Sequence, residues 1–190
     1  MEFTLHYRGN LKSNGGPDDK HELRSHFHAQ LKELWQQKPL SQHTALLSVP
    51  GAAPGSCDGT LSVIRTIGEF QFAPLVSERI HLIAELEILL LRPEAPGSIV
   101  TQGVDIDNRI KTLLDALKVP SEPNALPKKA APREDQTPFF CLLEDDNLIT
   151  KISVETDRLL DPVKSSSEVV LFIRIKTKQL LVLLGTQGLS

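Results

Sequence analysis

The chain has 190 residues, 40% hydrophobic and 24% charged, which is enough apolar content for one domain with its own core and too much for a disordered chain. Its formal net charge is −3 and its pI about 6.1, so no global basic field draws it to nucleic acid, and any such partner needs a local basic stripe. The most apolar runs, near 86–91 and 180–184, fall far short of the roughly 20 residues that span a bilayer.

The elements follow in chain order. Residues 3–7 alternate apolar with polar and read as a first strand. Residues 9–19, rich in Gly, Asn, Pro and Asp, read as a loop. Leu23, Phe27, Leu31, Leu34 and Trp35 recur at helical spacing, which predicts a helix over 19–37 closed by Pro39. Residues 41–57 look irregular, and 61–67 and 80–91 read as strands. Pro93, Pro96 and Gly97 mark a loop to residue 103. A second helix is expected over 108–118, with Ile110, Leu113, Leu114 and Leu117 as its apolar stripe, Asn108, Lys111 and Asp115 opposite, and Asp107 or Asn108 as its N-cap. Residues 119–138 carry Pro120, Pro123, Pro127, Pro132 and Pro138 and read as a surface insertion. Strands follow at 148–156 and 168–176, then a tail at 179–190. The sum is a single α+β domain over 1–190, a mixed β-sheet packed against two main helices. The start, Met1-Glu2-Phe3-Thr4-Leu5-His6, lacks the charged-then-apolar layout of a secretory leader, and Cys57 and Cys141 form no metal or redox spacing. A soluble, cytoplasmic protein with reduced thiols is expected.

Two acidic clusters carry the chemistry. Asp105-Ile106-Asp107-Asn108-Arg109-Ile110-Lys111 sets two carboxylates, an amide and an ammonium group at a helix entry, and Glu144-Asp145-Asp146-Asn147 adds a second cluster before a strand. In extended backbone Asp105 and Asp107 leave the same face. Lys111, four residues after Asp107, projects back toward that helix start. Carboxylates hold hard cations and a lysine neutralises phosphate charge, so the pair of clusters points to divalent-metal phosphodiester chemistry. Taken singly, Asp-x-Asp-Asn is also a capping sequence, Asp145-Asp146-Asn147 a turn composition, and Lys111 with Asp115 a surface pair. His21, His26 and His28 share the first helix without a zinc-completing set, and no Gly-rich phosphate loop or nucleophile elbow is present.

The ordered set Asp105, Asp107, Asn108, Lys111, then Asp115-Ala116-Leu117, then Asp145-Asp146 ahead of Leu148-Ile149-Thr150-Lys151, resembles the RusA family of Holliday junction resolvases. The resemblance spans residues 80–176 well and the N-terminal third loosely. It implies a homodimeric, Mg²⁺-dependent endonuclease acting on branched DNA in recombination and repair, with Mn²⁺ as a substitute ion and no nucleotide cofactor. In it Asp105, Asp107, Lys111 and Asp146 are the catalytic residues, and Asp105, Asp107, Asp145 and Asp146 the metal carboxylates. The chain departs from the family pattern in two places. Thr101-Gln102-Gly103-Val104 carries no basic residue before the first Asp. The connection after Lys118 is about twenty residues longer, a length that costs little closure entropy. Lys128, Lys129 and Arg133, or Lys12, Lys20 and Arg24, are the cations that could compensate. A non-catalytic DNA-binding or interaction module on the same scaffold is the alternative that the acidic pI motivates.

Overall fold

A computed structural model describes residues 1–49, 61–94 and 104–182 with Thr186 and Gly188; for Val104 and Asp105 it describes the backbone alone. Seven strands and two α-helices build an α+β fold with two mixed sheets: β1 (Glu2–Asn10), α1 (Pro17–Trp35), β2 (Arg65–Ile67), β3 (Phe70–Val76), β4 (Leu82–Arg92), α2 (Val104–Leu117), β5 (Phe139–Leu143), β6 (Ile149–Arg158) and β7 (Glu168–Gln179). The larger sheet has the order β1-β7-β4-β6, antiparallel except for the parallel β4–β6 pair. The smaller has the order β2-β3-β5, with β3 and β5 parallel.

The larger sheet follows from alternation. Leu82, Ala84, Leu86, Ile88 and Leu90 of β4 and Val169, Leu171, Ile173 and Ile175 of β7 are buried, while Glu87, Phe172, Arg174 and Lys176 on the other face are exposed. The inner face joins one core with Leu23, Phe27, Leu31 and Trp35 of α1 and Leu113, Ala116 and Leu117 of α2. The smaller sheet has no such alternation. All five residues of β5 are buried, as are all of β3 except Gln71, because both faces are covered. Residues 70–76 and 139–143 therefore carried no period-2 signal and were not among the expected strands. Conversely, of the strand expected over 61–67 only Arg65–Ile67 forms.

The insertion at 119–138 is anchored to the fold. Val119 and Leu126 pack with Phe70, Phe72, Phe139 and Cys141 in a second apolar cluster, and Gln136 is buried. Burial pushes the Cys141 thiol up to about 12, so it is inert at neutral pH. Cys57 lies outside the described residues. No helix among the described residues is long and apolar enough to cross a membrane.

Three contacts dock the helices. Pro17 opens α1, and Asp19 in its first turn accepts a 3.0 Å bond from Gly16 N. Gly15 N donates to Thr112 Oγ1 at 3.0 Å, and a Cβ at Gly15 would sit 2.7 Å from the Thr112 methyl, so only glycine lets this loop approach α2 so closely. At the far end Arg24, 2% exposed, donates to the carbonyls of Asp115 (2.8 Å) and Lys118 (3.3 Å), satisfying groups that the end of α2 leaves without helical partners.

Candidate functional site

The helix carrying the first acidic cluster begins at Val104, not at Asn108. Asp105 and Asp107 thus both lie within its first turns, and neither Asp107 nor Asn108 is its N-cap. The shared-face argument for Asp105 and Asp107 required extended backbone and does not apply to helical backbone. The Asp105 side chain lies outside the described residues. The stripe also divides: Leu113 and Leu117 are buried in the core, whereas Ile110 and Leu114 are only half-buried.

Those two half-buried residues form the floor of a groove of about 500 Å³ between α2 and β6, together with Ile106, Ile152 and Val154. Its polar lining is Asp107, Lys111, Asp115, Lys118 and Asp146. The packing of α2 beside β6 therefore brings Asp107, Lys111 and Asp146 to one groove from distant parts of the chain. Asp107, Lys111 and Asp146 are exposed at its rim.

The acidic run 144–146 splits three ways. Glu144 is half-buried and held by fixed donors: Ser77 Oγ at 2.5 Å, Arg65 Nε at 2.6 Å and Glu78 N at 3.2 Å. Burial alone would raise its carboxyl, but the bonds from Ser77 and Arg65 outweigh that and keep it below the usual value. Asp145 caps the short turn Asp146–Leu148, accepting from Asn147 N at 3.0 Å, and lines a neighbouring cavity of about 320 Å³ with Arg65, Glu144 and Lys118, the last of which also lines the groove. Asp146 alone reaches the groove, where Lys118 Nζ lies 2.8 Å from its Oδ2. That bond is the main reason its carboxyl sits below the ordinary aspartate value.

Lys118 was not among the expected site residues. Its ammonium also lies 3.5 Å from Asp115, which in turn pairs with Lys20 at 2.8 Å. The spacing Lys111, Asp115, Lys118 places all three on one side of a helix and was readable as such; the partner Asp146 was not. Of the compensating cations, Arg24 is buried at the helix joint, Lys12 pairs with Asp19 at 2.7 Å, and Lys20 is engaged by Asp115. Lys128, Lys129 and Arg133 are exposed in the insertion and do not line the groove. The histidines serve the fold: His28, 3% exposed, accepts from Phe140 N at 2.9 Å, and His21 packs on Phe70 and Phe139.

The donor chemistry of the groove suits a hard divalent ion. Mg²⁺ commonly takes one or two carboxylates and keeps water and phosphate oxygens as its other ligands, and Asp107 with Asp146 offers two such groups. Among the described residues no three His, Cys, Asp or Glu side chains stand close enough to hold a metal ion by themselves. No family model, curated protein or solved structure matches the chain.

Proposed function

We propose that the chain is a Mg²⁺-dependent endodeoxyribonuclease of the RusA type, hydrolysing phosphodiesters in branched DNA as a homodimer. The observation that supports this reading is the groove shared by Asp107, Lys111 and Asp146. On this reading Asp107 and Asp146, joined by Asp105 from the first turn of α2, hold the ion. Bound there, Mg²⁺ would lower the pKa of a water and stabilise charge on the attacked phosphate. Lys111, one helical turn beyond Asp107, sets its ammonium against a phosphate oxygen. Asp145 acts as a positioning residue, capping the turn that carries Asp146.

The test is incubation of the purified chain with four-way junctions and with linear duplex in Mg²⁺. Cleavage of branched substrate is expected, reduced at least about a hundredfold by Asp107→Asn or Asp146→Asn, the scale seen when one charge-stabilising group leaves an active site. No cleavage of any branched substrate, or undiminished cleavage by Asp107→Asn, rejects the proposal.

The pairing of Lys12 and Lys20 with carboxylates favours a second reading, a non-catalytic interaction module on this scaffold. DNA or protein binding without cleavage, with no Mn²⁺ uptake by calorimetry, would establish it.

A further inference from the structure

Lys118 stands between two hollows, the groove beside β6 and the neighbouring cavity of about 320 Å³. Asp146 faces the first, while its chain neighbours Asp145 and Asn147 line the second. Three segments wall this cavity: the β2 strand with Ile67, the chain leaving α2 with Val119, Pro120 and Ser121, and the stretch 144–148. Val119 N donates to Leu143 O at 2.9 Å, which ties the second wall to the third. The volume falls within the range of about 300–1,000 Å³ that small-molecule sites occupy.

Both cations of the lining are engaged, Arg65 by Glu144 and Lys118 by Asp146. Apolar surface comes from Ile67, Val119, Pro120 and Leu148. The groups left to bond a ligand are mostly acceptors. The side chains of Glu78, Ser121 and Asn147 meet no hydrogen-bond partner among the described residues. Asp145 is fixed by the 3.0 Å bond from Asn147 N, which leaves most of its lone pairs open. Apolar walls with a fixed carboxylate suit a flat heterocycle whose edge donates. Of the DNA bases only guanine carries two adjacent donors, N1–H and the N2 amino group, to match the two oxygens of a carboxylate. Adenine and cytosine set a ring-nitrogen acceptor beside the amino group, and thymine flanks its one N–H with carbonyls. Each of these would turn a lone pair toward Asp145.

We propose that this cavity receives one unpaired guanine of the strand whose phosphate lies in the groove, with Asp145 accepting from N1–H and the N2 amino group and the Asn147 amide donating to O6. Neighbouring residues of one turn then serve neighbouring parts of one nucleotide, Asp146 toward the phosphate and Asp145 with Asn147 toward the base. Drawing a base out of a duplex costs least where it is already unpaired, so the cavity favours a branch point over linear duplex. The inference rests on the endonuclease reading for the strand that carries the base. The pocket itself is read by nucleosides, which hold no phosphodiester, so the two can fail separately.

The experiment is titration of the isotope-labelled full chain, with no metal ion added, by deoxyguanosine, deoxyinosine, deoxyadenosine, deoxycytidine and thymidine, followed by amide NMR shifts. Deoxyguanosine is expected to move the Ser121 and Asn147 signals and to bind at least about tenfold more tightly than the others, the scale of one matched bidentate edge. Deoxyinosine, which keeps N1–H and O6 and lacks only the amino group, isolates the second bond to Asp145. Asp145→Asn keeps an oxygen to cap the turn but replaces one acceptor by a donor, and should level the nucleosides while its spectrum reports an intact fold. Equal affinities in the wild type, shifts confined to other surfaces, or no binding up to the solubility of the nucleosides overturns the proposal. So does a preference that survives Asp145→Asn. A chain that cleaves junctions without this preference loses the inference alone, and one that prefers deoxyguanosine and cleaves nothing loses the endonuclease reading alone.

Discussion

The two sides of α2 meet different surroundings. On one, Leu113, Ala116 and Leu117 are buried, and Arg24 supplies N–H groups to the last carbonyls from within the core. On the other, Ile110 and Leu114 are half-covered, and the carboxylates of Asp115 and Asp146 are balanced by ammonium groups on flexible stems. The run 144–146 repeats the contrast: Glu144 is fixed by Ser77, Arg65 and a backbone N–H, while Asp146 has Lys118. A carboxylate held by several fixed donors supports the fold. One balanced by a half-exposed lysine can exchange that partner for another cation at small cost.

The contrast breaks most visibly at neighbouring leucines. Leu113→Ala, at 0% exposure, should lower unfolding free energy by about 2–5 kcal/mol. Leu114→Ala, facing the groove, should cost about 1 kcal/mol, as its side chain is already partly in water. Urea denaturation midpoints measure both, and equal losses would erase the distinction between the sides.

A smaller effect comes from His28 on the dry side. Burial holds its pKa below the ordinary histidine value, so the folded state favours the neutral ring that accepts from Phe140 N. The stability from this group is whole above the unfolded value of about 6.5 and is lost as pH falls from there through the lower folded value. His21 is shifted the same way, again chiefly by burial. His28→Leu strands a buried N–H and should cost about 1–3 kcal/mol. It should also make the decline in stability between pH 7 and 5 shallower, as denaturation at a series of pH values would record. An unchanged slope would remove His28 from the account.

The smallest effect belongs to the wet side. Lys118→Met removes the cation beside Asp146 and should tighten Mn²⁺ binding about two- to fivefold, the worth of a half-exposed ion pair. Calorimetric titration of both proteins reads this directly. Weaker Mn²⁺ binding by the variant would mean that the ammonium orients the carboxylate instead of competing for it.

How much of this was legible depended on which forces left a local trace. Strands β1, β4 and β7 were placed within a few residues, since one wet and one dry face writes a period of two; β6 was placed by its own alternation of Ile152 and Val154 with Lys151, Ser153 and Glu155, although none of its residues is fully buried. Segments 70–76 and 139–143 were missed because burial on both faces erases that period, and Pro74 inside the first of them argues further against a strand. Arg24 read as one of the cations that could compensate for the missing basic residues before Asp105, because nothing in α1 alone announces that the end of α2 will lie against it. The start of α2 was placed late, on the capping residues Asp107 and Asn108, where the backbone was already helical.

By itself the sequence determined the α+β class, the two helices, the half-buried strands and the two acidic stretches, because hydrophobic period and residue chemistry are properties of neighbouring positions. Tertiary structure alone decided that Asp107, Lys111 and Asp146 share a groove, that Lys118 stands against Asp146, and that Glu144 and Asp145 face elsewhere. Those outcomes depend on how α2 packs beside β6, and packing is set by contacts between residues far apart in the chain.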